Sequence, residues 1–200
     1  MEELLYDDLL GIKTGGFQKG FSDSIHYHRY EPTPYSALEK LFSEYSLSPS
    51  DQVVDFGCGK GRLLFYIHHY FQSSVVGIEM NEYLYKETIK NQNRYLKKYK
   101  KSDSKITFYN CIAENYQIDL LDNRFYFFNP FTIQIFMKII KNILDSYEEH
   151  RREIDVVLYY ASEDYMYFLD NYTLFELKKE IVLEQFKDPY ERFLVYRLSR

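Results

Sequence analysis

The sequence predicts an α/β domain, a doubly wound and mostly parallel sheet that an antiparallel hairpin closes at the end of the chain. Short apolar runs with the length of buried strands alternate with longer segments whose apolar residues recur at helical spacing. Strands that alternate with helices form parallel sheets. The last two strand-like runs, at about 174–186 and 192–198, are joined by a short polar link without a helix, which favours an antiparallel hairpin.

The other elements follow one another without an internal repeat or a low-complexity linker. Thr33 and Pro34 are typical of a helix start, with threonine as the cap and proline at the first helical position. Ser162 is the expected cap of a later, short helix. Residues 1–33 lack a clear hydrophobic face, so we assign them to an N-terminal extension and residues 34–200 to the main domain. The remaining predicted strands lie at 53–56, 75–78, 106–109, 125–128 and 156–160, and the long helices at 60–72, 81–101 and 133–147.

Composition limits the classes of function. Hydrophobic residues make up 46% of the 200 residues, charged residues 28%, and the formal net charge is −5, as in ordinary globular proteins. The longest apolar runs fall far short of the roughly 20 residues that a membrane span needs. The first residues are acidic where a signal peptide would be basic, so we expect a cytoplasmic protein without a membrane segment. Cys58 and Cys111 provide neither a disulfide scaffold nor a complete zinc site.

A glycine-rich turn follows the first predicted strand, where residues 55–62 read DFGCGKGR. Glycines there let the backbone turn tightly and approach a ligand, with helix N–H groups directed at it. The spacing departs from the dinucleotide fingerprint G-x-G-x-x-G because Arg62 replaces the third glycine, which disfavours but leaves open an NAD-type oxidoreductase. Glu79 ends the second strand, where a carboxylate can accept hydrogen bonds from both hydroxyls of a ribose.

The turn at 55–61, Glu79 and the terminal hairpin together resemble the class I, seven-stranded, Rossmann-like family of S-adenosylmethionine-dependent methyltransferases, over about residues 33–200. The resemblance implies S-adenosyl-L-methionine as cofactor and methyl transfer as the reaction. No metal is expected. The cofactor-binding residues that the resemblance implies are Asp55, Gly57, Cys58, Gly59, Glu79, Met80, Ile112, Ala113, Asn129 and Thr33.

The resemblance also implies how these residues meet the cofactor. Residues 57–59 would pass under the methionine moiety, and Asp55 would orient that loop or meet the amino group. Glu79 would hold the ribose, and Met80 would pack on adenine. The acid that usually reads the adenine edge is absent from its usual place in the segment 111–114. The backbone of Ile112 and Ala113, or Glu114 after a shift in register, would take its place.

The fourth predicted strand ends in Asn129-Pro130-Phe131. This run resembles the N-P-P-[YF] motif of methyltransferases that act on amino groups of DNA adenine or protein glutamine, with one proline where they have two. An asparagine carbonyl can accept a hydrogen bond from an amine and orient the nitrogen lone pair towards the methyl group. The alternative is that Asn129 caps the following helix.

The N-terminal extension supplies further candidates. The segment 30–35, YEPTPY, resembles a Y-x-P-T/S element of lysine methyltransferases, which implies that Thr33 and Tyr30 reach the carboxylate of the cofactor. The alternative is a helix cap with packing. Four glycines within residues 11–30 predict a mobile lid. The candidate general base is His28, within that lid, or Glu31, and we take Tyr35, His28 and Asn129 as candidate catalytic residues.

A basic stretch at 90–105 is relevant to the class of molecule that accepts the methyl group. It carries seven basic residues and one acid, a net charge of +6, which leaves −11 on the other 184 residues. Its tyrosines make it resemble a nucleic-acid patch, but its helix joins two parallel strands, so the basic end lies opposite the cofactor face. We therefore expect an N or O nucleophile of a small molecule or protein side chain. The alternatives are a DNA or RNA amino-group methyltransferase and a non-catalytic cofactor-binding protein. The acceptor, the oligomeric state and the use of a base stay open.

Overall fold

The computed structural model describes residues 2–16, 31–100 and 105–199, and its centre is a mixed sheet of seven strands. The strands are β1 (Gln52–Phe56), β2 (Ser74–Ile78), β3 (Ile106–Tyr109), β4 (Arg124–Phe128), β5 (Ile154–Tyr159), β6 (Glu176–Val182) and β7 (Arg192–Leu198). The α-helices are α1 (Glu2–Leu10), α2 (Tyr35–Glu44), α3 (Arg62–Phe71), α4 (Glu82–Tyr99), α5 (Ile133–Glu149) and α6 (Glu163–Tyr172), and Ala113–Asn115 form a short 3-10 turn. None of these helices is long and apolar enough to cross a membrane.

The strand order is β3-β2-β1-β4-β5-β7-β6. The five strands from β3 to β5 pair in parallel, and β7 pairs antiparallel with both β5 and β6. The predicted fold is therefore confirmed, including the antiparallel hairpin at the end of the chain. The chain moves outward from β1 to β3 and then returns to β4, so the order reverses between β1 and β4. Ligands bind at such a switch point, outside the carboxyl ends of the strands.

The central strands are apolar at nearly every position because helices cover both faces of the sheet. In β1, Val53 belongs to the core cluster that includes α2 and α3 residues, and Val54 to the cluster that includes α5 residues. The long apolar stripe predicted for α5 supplies the second cluster with Phe136 and Ile140, both fully buried. The two cores hold the sheet between two layers of helices, which fixes the carboxyl ends of the strands relative to one another.

Two helices begin at side-chain caps. The side chain of Asn81 accepts hydrogen bonds from the backbone N–H groups of Tyr83 and Leu84, which places the start of α4 directly after the end of β2. Ser162 caps α6 by accepting from the N–H of Tyr165, as the sequence predicts. Both caps lie at the carboxyl edge of the sheet, so the helix starts there are fixed locally.

The predicted cap at Thr33 is wrong. Helix α2 begins at Tyr35 after Pro34, without a side-chain cap from its own segment. The hydroxyl of Thr33 is instead hydrogen-bonded to that of Tyr126 at 2.7 Å. The backbone N–H of Tyr35 donates to the carboxylate of Glu3 in α1, at 2.9 Å. The carboxylate of Glu3 therefore accepts the hydrogen bond that a capping side chain would otherwise accept.

Helix α1 is an element that the sequence analysis missed. Its apolar residues do not form one continuous stripe: Leu4 and Leu5 are 71% and 66% exposed, whereas Leu10 is fully buried. Its inner face combines the polar contacts of the buried Asp7 with packing of Leu10 and with stacking of Tyr6 on Tyr35. A search for hydrophobic periodicity does not detect a helix of this kind.

Candidate functional site

The glycine turn Gly57–Gly61 joins β1 to α3 at the carboxyl edge of the sheet. Its three glycines have φ angles of 85°, 55° and 83°, in the left-handed region that favours glycine. The N–H groups of Gly57 and Cys58 donate to the carbonyl of Ile78, at 2.9 and 3.1 Å, which fixes the turn to the end of β2. A Cβ atom on Gly57 would lie 3.0 Å from the Cβ of Pro130, so the turn also packs against the loop after β4.

Glu79 lies directly after β2 and holds the turn with its carboxylate. Oε2 accepts a hydrogen bond from the N–H of Gly59 at 3.0 Å, and Oε1 accepts from the N–H of Asn81 at 2.7 Å. The residue is buried, and burial raises the pKa of Glu79 to about 7 even though these donors oppose the rise. Each carboxylate oxygen can accept more than one hydrogen bond, so acceptor capacity for a diol remains.

Asp55 is a buried acid at the end of β1. Burial and the nearby carboxylate of Glu79 raise the pKa of Asp55 to about 8. Within the described ranges, no hydrogen bond to the carboxylate of Asp55 is found. A buried carboxyl group without a donor is costly to ionise, and a cationic ligand beside it would remove that cost.

A cleft of about 320 Å³ opens between the turn and residues 31–33. Four of the predicted site residues line it, namely Thr33, Asp55, Gly57 and Cys58. The lining also includes Glu31, Pro32, Arg62, Leu63, Tyr126 and Phe128. The structure therefore brings the segment before α2, the turn after β1 and the end of β4 together around one cavity.

Cys58 is buried in this turn, and its thiol is not a nucleophile. Burial raises the pKa of the Cys58 thiol well above its usual value, with Asp55 and Glu79 adding to the rise, so the thiol stays protonated. A Cβ atom on Gly77 would lie 2.7 Å from the Cys58 sulfur and 2.5 Å from a ring carbon of Phe108. Gly77, which the sequence analysis did not single out, thus lets the turn pack directly on β2.

The predicted adenine side lies at the ends of β2 and β3. Met80 and Ile112 are 38% and 42% exposed there, and Ala113 is buried at the start of the 3-10 turn. The side-chain amide of Asn110 donates to the carbonyls of Glu79 and Met80, at 2.8 and 3.1 Å. Asn110 was missed, although an asparagine directly after a strand at this edge was a usable signal. The contact of Ile112 and Ala113 with adenine stays a prediction.

Asn129 follows β4 with a φ of 37°, in the left-handed region, which asparagine adopts more readily than most other residues with a side chain. The alternative in which Asn129 caps the next helix is wrong, since α5 begins at Ile133 after Thr132. Tyr160, directly after the neighbouring strand β5, also has a positive φ of 53°. The adjacent strands β4 and β5 are therefore each followed by a residue with a positive φ at the carboxyl edge of the sheet.

Tyr35 lies behind the cleft rather than in its lining. It is fully buried, its hydroxyl donates to Asp7 at 2.8 Å, and the guanidinium of Arg62 lies 4.5 Å from the centre of its ring. These contacts are those of a packing residue, and they give its predicted catalytic role no support. The other candidate from this part of the chain, His28, lies outside the described residues, as does Tyr30.

The described part of the predicted lid, residues 11–16, is held against the turn. The Lys60 ammonium donates to the carbonyl of Gly15 at 2.6 Å. The N–H of Lys13 donates to the side chain of Asn91 in α4 at 2.9 Å, and the Asn91 amide donates to the carbonyls of Lys13 and Lys60. The remaining lid residues, 17–30, are outside the described ranges, so their closure over the cleft stays a prediction.

The basic stretch ends on the far side of the sheet, as predicted. Helix α4 begins next to Glu79 and joins two parallel strands, so its carboxyl end lies at the opposite edge. There the ammonium of Lys98 donates to the carbonyl of Asp8 at 2.6 Å, and the Tyr99 hydroxyl donates to the carbonyl of Leu9. These groups bind the last carbonyls of α1, a position that the helix dipole favours for a cation.

Comparison with known proteins finds one match to a family model and several structures of the same fold. Residues 34–121 match the model of a methyltransferase domain family, and this range contains the glycine turn and Glu79. A search of curated proteins gave no significant match.

Solved structures with the same fold are distant in sequence. One is an RNA methyltransferase of Salinibacter ruber in complex with S-adenosyl-L-homocysteine, at a TM-score of 0.60 and 18% identity, over 84% of this chain and 92% of that one. Another is an rRNA methylase of Streptococcus thermophilus, at 0.56 and 16%, over 82% and 94%. A third is the tRNA (uracil-54, C5)-methyltransferase of Pyrococcus abyssi in complex with S-adenosyl-L-homocysteine, at 0.55 and 14%, over 82% of this chain and 38% of that longer protein. At these identities the likeness establishes the fold alone.

Proposed function

We propose that this chain is a class I S-adenosylmethionine-dependent methyltransferase that methylates an amino nitrogen of an RNA base. The match of residues 34–121 to a methyltransferase domain model and the seven-stranded sheet support the reaction. The observation that carries the proposal is the contact between the glycine turn and the loop after β4, at Gly57 and Pro130. This contact supports a position of Asn129, the residue before Pro130, beside the part of the site that would hold the reactive end of the cofactor. The RNA methyltransferases that share the fold support RNA as the acceptor.

Two buried acidic residues at the carboxyl edge of the sheet, Asp55 in the cleft and Glu79 after β2, fit the cofactor. Asp55 is a buried carboxyl group without a donor among the described residues, which suits an amino group that carries a positive charge. Glu79 has acceptor capacity for a ribose diol after its two bonds to backbone N–H groups. S-adenosylmethionine supplies a methyl group on a sulfonium that is already activated for in-line displacement, so the chain contributes mainly by positioning.

Asn129 is the residue that we assign to the acceptor. It directly follows β4, where the backbone turns with a positive φ, and its side-chain carbonyl can accept a hydrogen bond from an acceptor amine. Such a bond orients the nitrogen lone pair along the line of displacement. Misplacement of a reacting group by about 1 Å can cost on the order of 100-fold in rate.

Aromatic side chains at the same edge favour a nucleobase. Phe128 lines the cleft, and the rings of Tyr160 and Tyr190 lie 5.8 Å apart, at the end of β5 and before β7. Proteins that read RNA bind splayed-out bases by stacking them on aromatic rings and by hydrogen bonds to the base edges. An enzyme that reacts with a base must likewise take it out of the stack. Asn129 and these rings supply both kinds of contact.

Acidic groups at that edge favour a second candidate, an amine of a small molecule or protein side chain. Asp188 accepts a hydrogen bond from the hydroxyl of Tyr160 at 2.5 Å, and Glu163 accepts from that of Tyr190 at 3.1 Å. Carboxylates around a cleft attract cationic substrates and repel polyanions. The two candidates therefore differ in the charge of the substrate that the edge would accept.

Methyl-labelled S-adenosylmethionine distinguishes them. We would incubate the protein with unmodified tRNA and rRNA transcripts, and in parallel with a heat-treated protein extract and its small-molecule fraction. Label that becomes acid-precipitable and is released by ribonuclease but not by protease supports RNA. Label that is released only by protease, or that stays in the small-molecule fraction, contradicts RNA and supports the second candidate.

The role of Asn129 is tested with the labelled acceptor. Asn129→Gly removes the carboxamide and tolerates the positive φ without strain, so the fold is kept. We expect turnover to fall about 100-fold, with the affinity for S-adenosylhomocysteine changed by less than about threefold. Asn171→Ala, at an exposed position in α6, is the matched control. Wild-type turnover in Asn129→Gly would contradict the role.

A further inference from the structure

We propose that Arg62 binds the carboxylate of the methionine moiety of S-adenosylmethionine, and that residues 2–16 hold Arg62 in place for it. The inference rests on the proposed function for the identity of the cofactor. It adds a binding residue that the sequence analysis treated only as a departure from the dinucleotide fingerprint. It also gives the N-terminal segment a part in cofactor binding.

Arg62 is a buried cation in the lining of the cleft. It is the first residue of α3, it is 5% exposed, and it borders the same cavity as Asp55 and Thr33. Its Nη1 donates to the carbonyl of Thr33 at 3.2 Å and pairs with Glu3. No hydrogen bond from Nη2 is found among the described residues, so the guanidinium retains donors for a ligand.

The described lining of the cleft carries the cation Arg62 and the carboxyl groups of Asp55 and Glu31, so it can meet both charges of an amino-acid zwitterion. Arg62 carries a fixed positive charge, and Asp55 presents a carboxyl group that lacks a donor among the described residues. An α-amino acid moiety has one carboxylate and one ammonium group, so each would meet its opposite charge here. Arginine is the side chain that best matches a carboxylate, because its planar N–H donors can form two parallel hydrogen bonds with the two oxygens.

Residues 2–16 orient the guanidinium from behind. The Nε of Arg62 donates to the hydroxyl of Thr14 at 2.7 Å. Thr14 is fully buried, and both its N–H and its hydroxyl donate to Asp7, each at 2.7 Å. The hydroxyl of Tyr35 donates to the same carboxylate at 2.8 Å, and its ring lies under the guanidinium. The plane of Arg62 is therefore fixed by groups from α1 and the segment after it.

The test compares two ligands that differ only in the carboxylate. S-adenosylmethionine and decarboxylated S-adenosylmethionine share the adenosine, the sulfonium and the ammonium group. A hydrogen-bonded ion pair of this kind predicts that the wild-type chain prefers S-adenosylmethionine by at least about tenfold in calorimetry. Arg62→Gln should reduce the preference to about twofold or less, while binding of the decarboxylated compound shows that the variant is folded. Arg151→Gln, a change at an exposed arginine, should leave the preference unchanged.

A second variant tests the N-terminal segment without touching the arginine. Thr14→Val keeps the shape of the side chain but removes the acceptor for Nε, so we expect the preference to fall severalfold with unchanged affinity for the decarboxylated compound. A full preference in Thr14→Val would overturn the positioning role of residues 2–16. Tight binding of both ligands without a preference, or a preference that survives Arg62→Gln, would overturn the inference alone. Binding of neither ligand by the wild-type chain would overturn the proposed function with it.

Discussion

Replacing Asp55 by asparagine should remove a loss of stability that the wild-type chain undergoes as the pH rises from 6 to 8. The pKa of Asp55 is raised to about 8 by burial and by Glu79, whereas an aspartate in the unfolded chain has a pKa of about 3.9. The folded state therefore binds this proton more tightly than the unfolded state does. Its contribution to stability is fully present below the unfolded pKa and is lost as the pH rises through the folded pKa.

The magnitude follows from these two pKa values. The free energy of unfolding falls by up to about 1.4 kcal/mol per pH unit while only the folded state holds the proton. Between pH 6 and pH 8 the fall levels off near the folded pKa, and the loss from Asp55 amounts to about 2 kcal/mol. An asparagine side chain does not titrate, so Asp55→Asn should lack this loss. Glu79, whose pKa is raised to about 7, contributes a loss of the same sign in both proteins, which mostly cancels in the comparison.

Urea unfolding at pH 6, 7 and 8 measures the difference. The stability of Asp55→Asn minus that of the wild type should grow by about 2 kcal/mol across this range. Asp164→Asn, at an exposed position in α6, should follow the wild type at every pH. Saturating S-adenosylhomocysteine should flatten the pH dependence of the wild type, because its ammonium group would lower the pKa of Asp55. A constant difference between Asp55→Asn and the wild type would refute the argument that burial keeps this carboxyl protonated.

Two further substitutions test the turn. Glu79→Ala should weaken binding of S-adenosylmethionine by at least about 1.5 kcal/mol in calorimetry, the value of a hydrogen bond to a charged group. Glu82→Ala, at the exposed start of α4, is the control and should bind as the wild type does. Equal affinity in the wild type and both variants would rule out the ribose contact. Gly57→Ala should lower the free energy of unfolding by about 1–2 kcal/mol, since it combines a positive φ with a Cβ atom 3.0 Å from Pro130. Gly15→Ala, where a Cβ atom meets nothing within 4 Å, is its control in urea unfolding, and an equally small effect at both glycines would count against the close packing of the turn.

The sheet could be predicted because its signals are local. Each central strand is a short apolar run, and the helices after residue 34 carry apolar stripes that match the cores they enter. Helix α1 could not be predicted in this way, because Leu4 and Leu5 face away from the body of the protein. Its stability depends on Asp7, whose partners Thr14 and Tyr35 are set by the tertiary structure rather than by a pattern within the helix.

Part of the site could likewise be predicted from local sequence, and the other part depends on the tertiary structure. The glycine turn and Glu79 are close in sequence and have strong conformational or chemical requirements, so the sequence predicts that they meet, and the bond from Gly59 to Glu79 joins them. The surroundings of Arg62 come from α1 and the segment before α2, which are distant in sequence. Thr33 shows the limit of local reasoning, since a favourable helix-capping residue instead bonds Tyr126 across the sheet edge.

The distribution of charge constrains how RNA would bind under the proposed function. The basic end of α4 lies at the edge opposite the cleft, where Lys98 binds a carbonyl of α1. The edge with the cleft instead carries Glu163 and Asp188, both bonded to tyrosine hydroxyls. Phosphate contacts at that edge would be opposed by these carboxylates, so affinity would have to come from stacking on tyrosine rings and from base-edge hydrogen bonds such as that of Asn129. An acceptor base in a loop or a single-stranded end meets this requirement better than one in a continuous duplex, because its unstacking costs less.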